Sequence, residues 1–155
     1  MTDKYIETKY GFAGATDGAV ATSIIKVIAE EEVFTAGDIL RIATLPTIAI
    51  IKKITIGCSA LTGAIDNDLG IYKQNSGDVL DGDLLMDGQT FATASKTLDG
   101  LKDVSVANAN KNLKDLFEAV NTTLTCDEQF VDIGLKINTA NTATGAISIK
   151  IDYVI

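Results

Sequence analysis

Apolar residues along this chain recur mostly at every second position, the period of a strand with one buried face. The pattern is cleanest over 131–155. There Val131, Ile133, Leu135 and Ile137 alternate with Asp132, Gly134, Lys136 and Asn138, and Ile147, Ile149, Ile151, Tyr153 and Ile155 alternate with Ser148, Lys150, Asp152 and Val154. The two runs predict a hairpin with a long loop over 139–145. The stretch densest in β-branched residues is 37–72, GDILRIATLPTIAIIKKITIGCSALTGAIDNDLGIY. Leu40 and Ile42 share one face of its first strand, and Pro46, which cannot donate to a ladder, marks a break or an edge. Ile48, Ile50, Ile54 and Ile56 form one face of the next strand, interrupted by Lys52. Ile51 makes the opposite face partly apolar, so this strand is expected between two layers or at a subunit contact. Asp66-Asn67-Asp68 supplies turn chemistry before a third strand, Leu69-Gly70-Ile71-Tyr72.

Elsewhere the pattern is weaker. VATSIIKVIA at 20–29 is β-branched and predicts a strand, ended by the charge run Glu30-Glu31-Glu32. Residues 78–88 read either as a short Asp-capped helix or as a loop that buries Leu84 and Leu85. The Thr-, Ala- and Ser-rich segment 90–106 is expected to hold one short strand near 90–95 and otherwise to cross irregularly. Leu113, Leu116, Phe117 and Val120 at three-and-four spacing predict a helix within 107–119. The remaining strands are expected near 5–12, 38–43, 48–58, 68–73, 130–138 and 146–154. The fold class that follows is all-β: an antiparallel β-sandwich, a jelly roll of about eight strands with one short helix.

The domain reading is an extended N-terminal arm over 1–18 and a single β-sandwich over 19–155. The arm spaces Tyr5, Tyr10 and Phe12 among Gly and Ala. Such a segment buries little in its own core, yet its aromatics are costly to leave in water. The arm is therefore expected to extend from its own core and to use Tyr5, Tyr10 and Phe12 as partner-binding residues on adjacent subunits; the alternative is a frayed terminus.

Composition narrows the chemistry. The chain has 155 residues, 46% of them hydrophobic, enough for one domain with its own core. It carries no His, which removes the usual general base and the commonest metal ligand. Ser/His/Asp and Cys/His arrangements are thus excluded, no phosphate-binding loop is present, and Cys58 and Cys126 stand singly. With no Trp and nine aromatics in all, a sugar-stacking cleft finds little support. The chain is read as no enzyme, with no cofactor. Six Asp and a single Lys fall within 62–88. Clustered carboxylates suit Ca²⁺, but the spacing of a helix-loop-helix calcium loop is absent and turns and caps explain these residues more simply. A net charge of −8 argues against nucleic acid as a partner. No apolar run reaches membrane-spanning length, and MTDKYIETKY lacks the apolar centre of a signal peptide. Both thiols are expected to be free, as in a reducing cytoplasm.

The run GDILRIATLP, the long strand after it, then DNDLGIY and DVLDGDLLMD, resemble a group of small tailed-phage virion proteins, the capsid cement, decoration or auxiliary proteins. These combine a Gly-Asp strand ending in Leu-Pro, an "xLGLY"-like strand, an acidic "DxDL" segment and a closing hairpin similar to Val131–Val154 here. The resemblance covers 37–155 with 93–112 unmatched. Where such proteins often carry a Trp in the helix before the hairpin, this chain has Phe117. The resemblance implies a structural protein on the outer face of a phage shell, made in the host cytoplasm and bridging major capsid protein subunits. It also implies self-association, a trimer favoured over a dimer. The alternative is a head-fibre or tail-tip adhesin module that binds a host glycan or protein.

Overall fold

A computed structural model describes the backbone of three N-terminal strands and all of residues 33–155. The strands are β1 (Asp3–Lys4), β2 (Lys9–Gly11), β3 (Thr22–Ile28), β4 (Asp38–Pro46), β5 (Ile50–Cys58), β6 (Asn67–Lys73), β7 (Val79–Met86), β8 (Ser95–Asp99), β9 (Phe130–Ile137) and β10 (Ile147–Val154). One helix, α1 (Leu113–Val120), precedes β9. The strands form two five-stranded sheets, ordered β1-β4-β9-β6-β7 and β2-β3-β10-β5-β8. All pairings are antiparallel except β1 beside β4. The protein is thus an all-β sandwich, as the period-two pattern predicts.

The core lies between the sheets. Val131, Ile133, Leu135 and Ile137 of β9 and Ile147, Ile149 and Ile151 of β10 contribute to it from opposite sheets, and Leu69 and Ile71 of β6 join them. The hairpin expected over 131–155 is therefore corrected: the loop over 139–145 crosses from one sheet to the other, and β9 pairs with β4 and β6 while β10 pairs with β3 and β5. Each fully buried aliphatic side chain of this kind contributes about 1.5–3 kcal/mol of transfer free energy. Two irregularities set which residues turn inward. Between Arg41 and Ala43, β4 advances two residues while β9 advances one, so Leu40 and Ile42 before the shift and Leu45 after it all reach the core. In β5 the shift falls at Lys52 and Lys53, which both stay exposed, and Ile51 lines up inward with Ile54 and Ile56. The expected face of Ile48, Ile50, Ile54 and Ile56 is therefore corrected: Ile48 precedes the strand and is exposed, and Ile50 is only half-buried.

Three further expectations are corrected. Residues 79–86 form an edge strand, not a helix or a loop. Between the pairs Leu69↔Met86 and Ile71↔Asp81, β7 advances five residues to two on β6, and the bulge buries Leu84, Leu85 and Met86 in succession. The strand expected near 90–95 lies instead at β8. Phe91 is tied to the 61–64 turn, its N–H donating to the Ala64 carbonyl and its carbonyl accepting from the Leu61 N–H. The helix begins later than expected, because Asn112 caps it by accepting from the Asp115 N–H at 2.8 Å. Upstream, Asn108 and Asn110 lie in turns, where Asn competes well for the backbone. Leu113, Leu116 and Phe117 are the buried face of α1.

Candidate interaction surfaces

Cys58 and Cys126 are both buried and free, and burial pushes the Cys58 thiol above its ordinary range. Among the described residues no group of three or more His, Cys, Asp or Glu could hold a metal, and no helix is long and apolar enough to cross a membrane. The Asp residues of 62–88 hold turns and strand ends. Asp68 accepts from the Gly88 N–H at 3.0 Å and from the Asn138 side-chain amide. Asp81 accepts from the Asn121 amide at 2.6 Å, which ties the end of α1 to β7. A hydrogen bond shared with Asp81, then burial, pushes the Asp83 carboxyl above the ordinary range.

A buried polar cluster covers the outer face of the β4-β9-β6 sheet. Arg41 pairs with Asp132 at 2.7 Å, and Thr44 donates to the other carboxylate oxygen at 2.6 Å. The Arg41 guanidinium lies 5.6 Å from the centre of the Tyr72 ring. Glycines make room for that ring and for the β7 bulge: a Cβ at Gly134 would sit 2.6 Å from Tyr72, and one at Gly70 would collide with the Asp81 carbonyl. Burial, reinforced by the Asp68 charge and opposed by Arg41, pushes the Tyr72 hydroxyl up to about 12. The cluster fastens three strands together.

The partner-binding residues expected from the sequence meet the structure only in part. Tyr5 and Phe12 lie outside the described residues. Tyr10 lies in β2 at the register position of Ile24 in β3. The arm expected to extend from its own core is corrected for its described segments: Asp3–Lys4 pairs with β4 and Lys9–Gly11 with β3, each as an edge strand of a sheet.

The two ends of the sandwich differ, and sequence reasoning missed the difference. At one end lie the last residues of β4 and β6 and the first of β5, β7 and β9. Helix α1 crosses this end. Its Leu113 and Lys114 N–H groups donate to the Ala49 and Thr47 carbonyls, and its far end reaches Asp81. Ile48, Val79, Val120, Leu124 and Phe130 all lie at this end and stand exposed, Ile48 at 62% and Phe130 at 47%. The available signal was the interruption of the apolar alternation at strand ends, a place where sequence periodicity carries no facing information. At the opposite end side chains close on backbone. Asn67 donates to the Ala64 and Gln89 carbonyls, Asn141 accepts from the Phe34 N–H at 2.6 Å, and Asp38 accepts from the backbone and hydroxyl of Thr35.

With this geometry in hand, comparison with known proteins is informative at the level of fold. No family model matches the chain. No curated protein matches it either. Among solved structures, the chain matches one in the capsid of Ralstonia phage GP4, with a TM-score of 0.65, 18% identity and coverage of 97% of each chain. It also matches one in the cyanophage Pam1 capsid asymmetric unit, with a TM-score of 0.52 and 16% identity, over 95% of this chain and 93% of that one. The sandwich described above is therefore shared end to end with chains that occur in two phage capsids.

Proposed function

We propose that this chain is a structural, non-enzymatic component of a phage virion: a cement or decoration protein on the outer face of the shell that bridges major capsid protein subunits. The observation that carries the reading is the full-length fold shared with chains of two phage capsid structures, at low identity but without a missing part. The strand orders β4-β9-β6-β7 and β3-β10-β5-β8 support it, since they interleave as the two sheets of a jelly roll, an architecture common in viral capsids. A net charge of −8 keeps such a protein dispersed at high concentration before assembly. The surface assigned to the shell is the α1 end, where five large apolar side chains stand in water and no described residue covers them. The arm residues Tyr5, Tyr10 and Phe12 are assigned to adjacent subunits, either copies of this chain, in a trimer, or the shell.

The test is to purify the protein, add it to particles that lack it, and count bound copies. The reading expects saturable binding at many equivalent positions over the shell and greater resistance of the particle to heat. Binding confined to a few copies at the tail would favour the adhesin reading, and no binding would sink both.

A further inference from the structure

The edge of the sandwich beside α1 is not closed. Between β5 and β7, the outermost strands of the two sheets on that side apart from short β8, residues 101–111 and α1 roof a cavity of about 210 Å³. Its walls are apolar: Ile51 of β5, Leu85 of β7, Leu101 and Val104 of the roof, and Leu113 and Leu116 of α1. Lys52 and Lys111 also line it, and both are exposed, so they stand at its mouth. The Lys52 ammonium donates to the Asn110 side chain at 3.1 Å. Among the described residues, no carboxylate lies within ion-pair distance of either lysine, whereas Lys73, Lys102, Lys114 and Lys150 each have one.

Two features decide what would enter. Interiors pack with few voids, and a dry engineered cavity of about 150 Å³ is enough to take benzene, so this one accommodates a large aliphatic or aromatic side chain. Wet apolar walls favour any apolar group that displaces the water. The paired lysines then select sign: they are locally positive on a molecule whose net charge is −8, so they attract a carboxylate near the apolar group and repel a cation. We infer that this cavity is a socket for one large apolar side chain carried on an acidic segment of a neighbouring protein. The assignment of the occupant to a neighbouring protein rests on the virion reading above. The fit to an apolar group with an anionic neighbour rests on the cavity alone.

The experiment has two arms. In the first, octanoate and octylammonium are titrated into the full chain while backbone amide signals are followed by NMR. Octanoate is expected to shift Leu101, Val104 and Leu113 saturably and to bind about tenfold more tightly than octylammonium. The double variant Lys52→Glu/Lys111→Glu should reverse that order. Absence of saturable shifts at these amides, or equal binding of the two probes, overturns the socket. In the second arm the same double variant and a control, Lys96→Glu/Lys150→Glu, are bound to particles. The socket variant is expected to bind about tenfold more weakly while the control holds. If the socket variant loses octanoate but binds particles like wild type, the neighbouring protein is not the occupant. If wild type itself fails to bind particles, the virion reading fails, and the octanoate arm still decides the chemistry of the cavity.

Discussion

The two ends of this sandwich solve the same problem in opposite ways. Where strands stop, backbone groups lose their ladder partners and the core is open to water. At the end bearing Asn67, Asn141 and Asp38, short polar side chains turn back and satisfy the loop backbone, so that Asn67 is fully buried. At the α1 end the backbone is satisfied by the helix and its loop, but aliphatic and aromatic side chains are left facing out. Val33 and Ile65 are exposed as well and adjoin the polar end, next to Phe34 and Ala64, while Val106 and Ile155 are exposed elsewhere in the described chain. The lesson is that the two ends are closed differently: short polar side chains seal one, while among the described residues the other leaves apolar side chains exposed, as the proposed contact with the shell requires.

This contrast can be broken most forcefully at the sealed end. Asn67→Ala removes the donor to the Gln89 carbonyl, takes one of two donors from the Ala64 carbonyl, which keeps the Phe91 N–H, and empties a fully buried site; it should cost about 1–3 kcal/mol in urea unfolding. The folded fraction should still bind particles normally. A loss below about 0.3 kcal/mol would show that the seal contributes little. The α1 end should answer in reverse. Ile48→Asp should change stability by no more than about 0.5 kcal/mol, since that side chain precedes the strand and is 62% exposed. Marked destabilisation of that variant would mean the end is part of the core.

A smaller effect sharpens the picture on the outer face of the first sheet. The Tyr72 hydroxyl titrates at about 12 in the folded protein, above its ordinary 10. The neutral form is thus favoured by folding, and its contribution is complete below pH 10 and lost as pH rises through 12. Stability should fall across that window, and Tyr72→Phe should flatten the fall. Smaller still is Asp83, whose carboxyl is raised by Asp81. Its ionised form is disfavoured in the fold, so Asp83→Asn should raise the melting temperature slightly at pH 7 and make no difference well below pH 4. A chelator should leave the melting temperature unchanged; a drop restored by Ca²⁺ would reveal a metal in the acidic region.

Much of the fold was legible because its strands keep period two. β9 and β10 follow the alternation, which gave both strands and their buried faces, but it could not give their partners: the expected hairpin is two strands in different sheets, each paired with strands distant in sequence. What else escaped was local. In β5 two lysines in succession look like a lapse in the pattern, and only the pairing with β10 shows them to be a bulge that flips the inward face to Ile51. In β7 a five-for-two bulge places three apolar residues inward in a row, which reads as a capped helix or loop in the sequence. The interaction surface was the least legible part. Ile48, Val79, Val120, Leu124 and Phe130 are scattered over more than half the chain and meet only when the strand ends do. The arm aromatics stand out in the sequence because Tyr5, Tyr10 and Phe12 fall close together in one short stretch.

The account stands or falls on which end meets the shell. A reconstruction of particles saturated with this protein would show it directly. The account predicts copies at regular positions on the exterior, with the α1 end, Ile48, Val120 and Phe130 foremost, buried against major capsid protein subunits and the Asn67 end turned to solvent. A map in which the Asn67 end contacts the shell and Ile48 and Phe130 face water would contradict it.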